Sequence, residues 1–150
     1  MSAGHVLAMH LRRAYLSLHR QADAHFAAFG LTADQFVLLT LLAEKEGVTQ
    51  QHLTRRSFSD PNTIRAMLVL LEKRGLLVRE VHPNDGRARC VFLTAEGRRL
   101  QKQLWDSAQP MQRKLWEIMS PHEQHVVLEC LDRIGEIMAP PKRQRQKTLC

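Results

Sequence analysis

The chain has 150 residues, with 22 Lys plus Arg against 15 Asp plus Glu, and a formal net charge of +7. That length suits one domain or one with an extension, and the basic surplus points to an anionic partner, most often nucleic acid. Aromatic residues make up only 5% and leucine leads the apolar set, which favours helices over a sandwich or barrel.

Residues 6–29 read as a helix, with Leu7, Leu11, Ala14, Leu18, Ala22 and Phe26 at steps of three and four and Gly30 as its stop. Thr32 and Gln35 form a capping-box pattern that opens a second helix, ending near Gly47. Thr49 can cap a short third helix, about 50–56. Ser59 or Asp60 can cap a fourth, with Pro61 in its first turn, Ile64, Met67, Leu68 and Leu71 as its buried stripe, and Gly75 as its end. Two strands follow, about 77–82 and 89–93, joined by the turn-forming "PNDGRA". Thr94 can cap a long helix over 95–119, which Pro110 should kink or interrupt. "SPHE", residues 120–123, starts a last helix lined by Val127, Leu131, Ile134 and Met138.

The expected fold is mainly α with a small β-hairpin wing. A winged helix-turn-helix lobe, 33–94, is flanked by helical segments 1–32 and 95–139, and residues 140–150 form a basic, disordered tail. The seams of the outer helices are too apolar to leave in water. They call for a second layer in the same subunit or, better, an intertwined dimer interface.

The third and fourth helices, separated by "SFSD", form a helix-turn-helix arrangement with a hairpin directly after it. In such a unit the second helix enters the major groove. With its apolar stripe inward, its other face carries Asn62, Arg65, Ala66, Val69 and Lys73. Asn suits adenine, Arg suits guanine, and small apolar groups suit thymine methyls; the alternative is an ordinary half-buried helix. At the hairpin, Arg87 and Arg89 alternate onto one side, within reach of phosphates or a narrow minor groove. Asp85 is expected to pair with an arginine or cap the turn. Standing alone, two such arginines would be read as solubilising a turn.

The stretch "DPNTIRAMLVLLEKRGLLVREVHPNDGRARCVFLTAEGRRL" resembles the core of the MarR family of bacterial winged-helix regulators. "LEKRGLLVRE", "NDGRA" before an apolar strand, and "LTAEG" follow that family's order and spacing. The resemblance implies a homodimeric, DNA-binding repressor of transcription. Its partners would be a pseudo-palindromic double-stranded DNA operator and a small aromatic or phenolic ligand. Release by oxidation or by a metal is the alternative that the resemblance also allows. Separately, the sequence has no Gly-rich phosphate loop, nucleophile motif or paired carboxylates, so no enzyme activity and no cofactor are expected. Carried residue by residue, recognition contacts would fall on Ser59, Asp60, Pro61, Asn62, Thr63 and Arg65, and the wing arginine on Arg87 in the match at Asp85, Gly86 and Arg87; Gln50, Gln51, Lys73 and Arg89 are further candidate DNA contacts of the helix-turn-helix and hairpin themselves, with Asp85 and Gly86 as wing support. "PNT" departs from the Ser- or Thr-rich start usual in that family's recognition helix.

Three kinds of signal could be sensed. An organic ligand would lie between the dimer helices and the lobe, near His10, Arg13, Tyr15 and Ser17, although any one of these reads equally as solvent-facing. Thiol oxidation has less support. The three cysteines, Cys90, Cys130 and Cys150, follow no disulfide or metal spacing, and strand alternation makes Cys90 a buried, inert residue. For a metal, His122 and His125 lie three apart without a fitting third ligand. A winged helix that binds protein instead of DNA is the remaining alternative. No apolar run approaches the roughly 18 residues of a membrane span, residues 1–20 lack a secretory core, and a reducing cytoplasm is the expected home.

Overall fold

The computed structural model describes residues 1–140 and 149–150; among them are six helices and a three-stranded antiparallel sheet of order β1-β3-β2. α1 (Ala3–Ala27) starts at Ser2, whose hydroxyl accepts the His5 N–H, and the chain leaves it through Gly30 at φ +69°, a left-handed geometry that favours glycine. α2 (Ala33–Glu44) opens on the reciprocal Thr32–Gln35 capping box. β1 (Val48–Thr49) leads into α3 (Gln50–Arg56), capped by Thr49, and Asp60 caps α4 (Pro61–Lys73). β2 (Leu77–His82) and β3 (Asp85–Leu93) form the hairpin, Thr94 caps α5 (Ala95–Glu117), and Ser120 with Glu123 boxes the start of α6 (Pro121–Met138).

The fold class expected from the sequence is the one observed, with local differences. β1 was not foreseen, because two residues carry no periodicity; it exists by pairing Val48 and Thr49 with Val91 and Cys90. β3 begins at Asp85 and not near 89. His82 pairs with Asp85 across Pro83 and Asn84, and an irregularity between Val81 and His82 absorbs the remaining turn-forming residues. α5 runs unbroken through Pro110. Pro110 and Asp106 are both exposed, so the Asp106 carbonyl, which loses its helical N–H donor at Pro110, lies on a face that water can reach.

The core joins Leu38, Leu39 and Leu42 of α2, Leu53 of α3, Ile64, Leu68 and Leu71 of α4, and Leu77 and Val91 of the sheet. It extends without a break to Phe26 of α1 and to Leu104 and Ala108 of α5, so the apolar packing passes both edges of the 33–94 segment. α6 differs: it buries no residue in the single chain, and Val126, Val127, Leu128 and Leu131 lie exposed along it. Among the described residues no helix is long and apolar enough to cross a membrane.

The cysteine expectation needs correcting. Cys90 is buried, as alternation suggested, but it is bonded to Cys150 in a disulfide that spans 60 positions of sequence. Spacing could not show this, because the partner comes from the chain end. Leu149 and Cys150 are also not a free tail, since Leu149 bridges to Val48 and the Cys150 N–H donates to the Gly47 carbonyl at 2.9 Å. The rest of the expected disordered tail, 141–148, lies outside the described residues.

Candidate nucleic-acid interface

α3, a four-residue turn and α4 make the helix-turn-helix, and Phe58 in that turn adopts φ +53°, unusual for a side chain of its size. Ile64, Leu68 and Leu71 anchor α4 inward at every turn. This leaves Asn62, Arg65 and Ala66 fully outward, edging with Val69 and Leu70 a shallow depression along the helix. Val69 is half-buried and so contributes less to the outer face than expected.

The start of α4 divides the expected contact residues. Asp60 is occupied as the N-cap: its carboxylate accepts the Thr63 N–H at 2.9 Å and the Thr63 hydroxyl at 2.5 Å. The Thr63 hydroxyl first, and then its backbone N–H, hold Asp60 below the usual aspartate range. Asp60 and Thr63 therefore satisfy each other and position Asn62 and Arg65, which stand clear of the cap. Ser59 is half-buried and its N–H donates to the Thr54 carbonyl. Lys73 is exposed but lies in the last turn, about 16 Å along the helix from Asn62 at 1.5 Å per residue.

The wing closes a groove of about 540 Å³ against α3 and the first turn of α4. Gln50, Gln51, Pro61, Asp85, Arg87 and Arg89 all line it. Six residues picked from three separate stretches of sequence thus meet on one surface. Asp85 caps the turn, accepting the Arg87 N–H at 3.1 Å. Arg89 folds back onto the wing, donating to the Gly86 and Ala88 carbonyls at 3.3 Å each. Arg87 projects outward, and among the described residues neither its guanidinium nor that of Arg65 has a hydrogen-bond partner. Gly86 has neither a left-handed φ nor any neighbour within 4 Å of a Cβ position, so the wing does not need glycine there.

Two arginines that hold this frame together escaped the sequence reading. On β2, Arg79 pairs with Glu72 of α4 (3.1 Å), gives its backbone N–H to the same carboxylate (2.8 Å) and reaches Gln50 of α3 at 3.4 Å. That hydrogen bonding, led by the Arg79 side chain, holds Glu72 below the usual glutamate range against a smaller opposing effect of burial. Arg74 donates to the Gly30 and Phe29 carbonyls, closing the C-terminal end of α1. Both contacts join residues brought together by turns, where no helical or strand period is available to reveal them. On α3, burial first, then Arg55, Arg56 and Lys45, keep His52 below the usual histidine range.

The four residues considered for a ligand separate. Tyr15 borders an apolar cavity of about 250 Å³ between α1, α2 and α5, with His19, Phe26, Phe36, Val37 and Met111. Phe26 and Phe36 stack at 4.3 Å between ring centres, and Tyr15 stacks on His19 at 5.5 Å. Arg13 and Ser17 instead face a separate shallow surface on α1, and His10 turns back to its own helix at the Val6 carbonyl. The side chains of His122 and His125 are not gathered with a third donor. Among the described residues the one His/Cys/carboxylate trio within mutual reach is His82, Cys90 and Cys150.

Helix-turn-helix, wing and exposed basic tip together define a winged helix-turn-helix protein. Residues 29–88 match the model of the MarR family. HosA, a transcriptional regulator of Escherichia coli O111:H-, is 40% identical over 70 residues, 47% of this chain and 52% of HosA. The chain thus spans about half the length of the curated relatives it matches first. Among solved structures, the PcaV transcriptional regulator of Streptomyces coelicolor, in complex with its natural ligand, is 26% identical with TM-score 0.75, covering 93% of this chain and 95% of PcaV. The transcriptional repressor CouR, bound to a 23-mer DNA duplex, is 27% identical with TM-score 0.78, covering 90% and 98%.

Proposed function

We propose that this chain is a sequence-specific, double-stranded DNA-binding transcriptional regulator, acting as a homodimeric repressor on a pseudo-palindromic operator and released by a small aromatic ligand. The observation that carries the DNA reading is the shared surface of α4 and the wing. Asn62, Arg65 and Ala66 present base-reading chemistry while Arg87, across the groove from Gln50 and Gln51, is placed for phosphate or the minor groove. A repressor of similar fold, CouR, is bound to duplex DNA. The net charge of +7 supports an anionic partner.

The homodimer is supported by α6, along which Val126, Val127, Leu128 and Leu131 stay exposed in one chain, and by exposed Leu7, Met9 and Leu18 on α1. An isologous two-fold would spread the two lobes over half-sites about 34–36 Å apart. The effector is supported by the aromatic-walled cavity beside Tyr15 and by PcaV, which holds its natural ligand. Fluorescence anisotropy on duplexes from the DNA flanking its own coding sequence tests the reading. Binding should be saturable, steeply weaker as salt rises, and resistant to excess random duplex. Equal binding of random and flanking duplex, or none at low salt, would refute it and favour a protein-binding winged helix.

A further inference from the structure

The C-terminal dipeptide is seated at the root of the winged lobe by four contacts. Leu149 bridges to Val48 on the outer side of β1, and the Cys150 N–H donates to the Gly47 carbonyl. The Leu149 carbonyl is held at 3.1 Å by His82 Nε2, while His82 Nδ1 accepts the Asn84 N–H at 3.0 Å. The accepting Nδ1 leaves the proton on Nε2, so the ring donates to Leu149 and both its nitrogens are engaged. The fourth contact is covalent, between Cys150 and Cys90, whose Cα atoms lie 5.9 Å apart.

Cys90 is placed where such a bond matters. It stands one residue from Arg89 and three from Arg87 on β3, and it pairs across the sheet with Thr49, the residue that caps α3. The bond therefore joins the chain terminus to the strand that carries the wing and to the strand that starts the helix-turn-helix. Where a compartment keeps thiols reduced, a disulfide that forms only on oxidation is more often a switch than a staple.

We propose that Cys90 and Cys150 are a redox-active pair, oxidised by hydroperoxides, whose disulfide locks the C-terminus onto the edge of β1 and fixes the wing in its DNA-reading position. The thiolate of Cys150, the more exposed partner, attacks the terminal oxygen of the hydroperoxide ROOH. The O–O bond breaks, Cys150 becomes a sulfenic acid, and the alkoxide leaves as the alcohol ROH. The Cys90 sulfur then attacks the Cys150 sulfur; the S–S bond forms, and the departing hydroxide takes the thiol proton as water. Two thiols and one hydroperoxide give one disulfide, one alcohol and one water, and a dithiol reverses the change. His82 is a positioning residue here, holding the Leu149 backbone so that Cys150 meets Cys90.

The effect on DNA rests on the proposed function, and the experiment separates the two. The full chain is treated with dithiothreitol or with one equivalent of hydrogen peroxide, alongside Cys150→Ser and Cys130→Ser variants. Peptide mass mapping should find a Cys90–Cys150 linkage after peroxide, absent after dithiothreitol and retained in Cys130→Ser. The oxidised wild type should melt on the order of 5–10 °C above the reduced protein, a difference Cys150→Ser abolishes. Oxidised wild type should also bind operator duplex at least about threefold more tightly than reduced, with no such difference in Cys150→Ser. Linkage through Cys130 alone, or none, overturns the site. Reduced protein that retains one equivalent of added zinc and resists peroxide overturns it in favour of a His82–Cys90–Cys150 metal centre. Linkage with equal DNA affinity in both states overturns the coupling, and linkage with no DNA binding in either state overturns the function while the redox pair stands.

Discussion

Replacing Gly97 by alanine should destabilise this protein even though it improves a helix. Gly97 lies in the first turn of α5, where Gly→Ala alone would favour the helix by about 1 kcal/mol. Here the helix start is pressed onto the end of the loop before β2. A Cβ on Gly97 would overlap the Leu76 carbonyl oxygen and lie 2.9 Å from its carbon, whereas carbon–carbon contact is comfortable at about 3.5–4.0 Å. The obstacle is backbone and cannot rotate away. That same carbonyl accepts the Thr94 N–H at 3.1 Å, while the Thr94 hydroxyl binds the Gly75 carbonyl and caps α5 at the Gly97 N–H. Relief thus costs overpacking of about 1–3 kcal/mol and one strained hydrogen bond of about 1 kcal/mol, against the gain of about 1 kcal/mol. The net loss is about 1–3 kcal/mol, or a melting temperature lower by roughly 3–10 °C. Gly4→Ala, in α1 with nothing within 4 Å of its Cβ position, is the matched control and should be neutral or slightly stabilising. Thermal melts by circular dichroism decide it. A Gly97→Ala protein as stable as wild type would show that the α5–β2 approach is not as close as described.

Arg87→Ala should weaken binding about equally on all duplexes and reduce the salt slope by about one, whereas Arg65→Ala should relax preference at one base position by about 1–3 kcal/mol; randomised-site selection at fixed salt distinguishes them, and interchangeable profiles would refute the division of labour. Leu131→Glu on α6 should yield monomers in sedimentation at micromolar concentration without loss of helix signal, because this exposed side chain lies outside the hydrophobic core of its own chain; an unchanged dimer would remove α6 from the interface. Glu72 has a folded pKa below its unfolded one, so the stability it contributes is present above about pH 4.3, is lost as pH falls through the folded value, and should be missing in Glu72→Gln. Urea melts at pH 7 and pH 3 should show a smaller acid loss for Glu72→Gln than for wild type, and equal losses would deny the Glu72–Arg79 link its role.

Local chemistry settled most of the element ends before any fold was known. Thr32 with Gln35, Thr49, Thr94 and Ser120 with Glu123 cap in the structure as their spacing predicts, since a cap needs only residues three apart. The inward stripe of α4 was equally legible, and its complement named Asn62, Arg65 and Ala66 as the outer face. Asp60 and Thr63 show where that reading stops: the same residue types that can touch DNA can also close a helix, and geometry chose the cap.

What sequence alone determined, then, is what repeats within a turn or a strand pair: helix bounds, the apolar faces and the wing's charged tip. Tertiary structure decided what is joined from far apart in the chain. The groove that brings Gln50 and Gln51 to Arg87, the Glu72–Arg79–Gln50 link, the contact of Arg74 with the end of α1, and the Cys90–Cys150 bond depend on turns and on a chain end folding back. No periodicity spans such distances, because side-chain period reports only which way a residue faces, and not which remote segment the fold places opposite it.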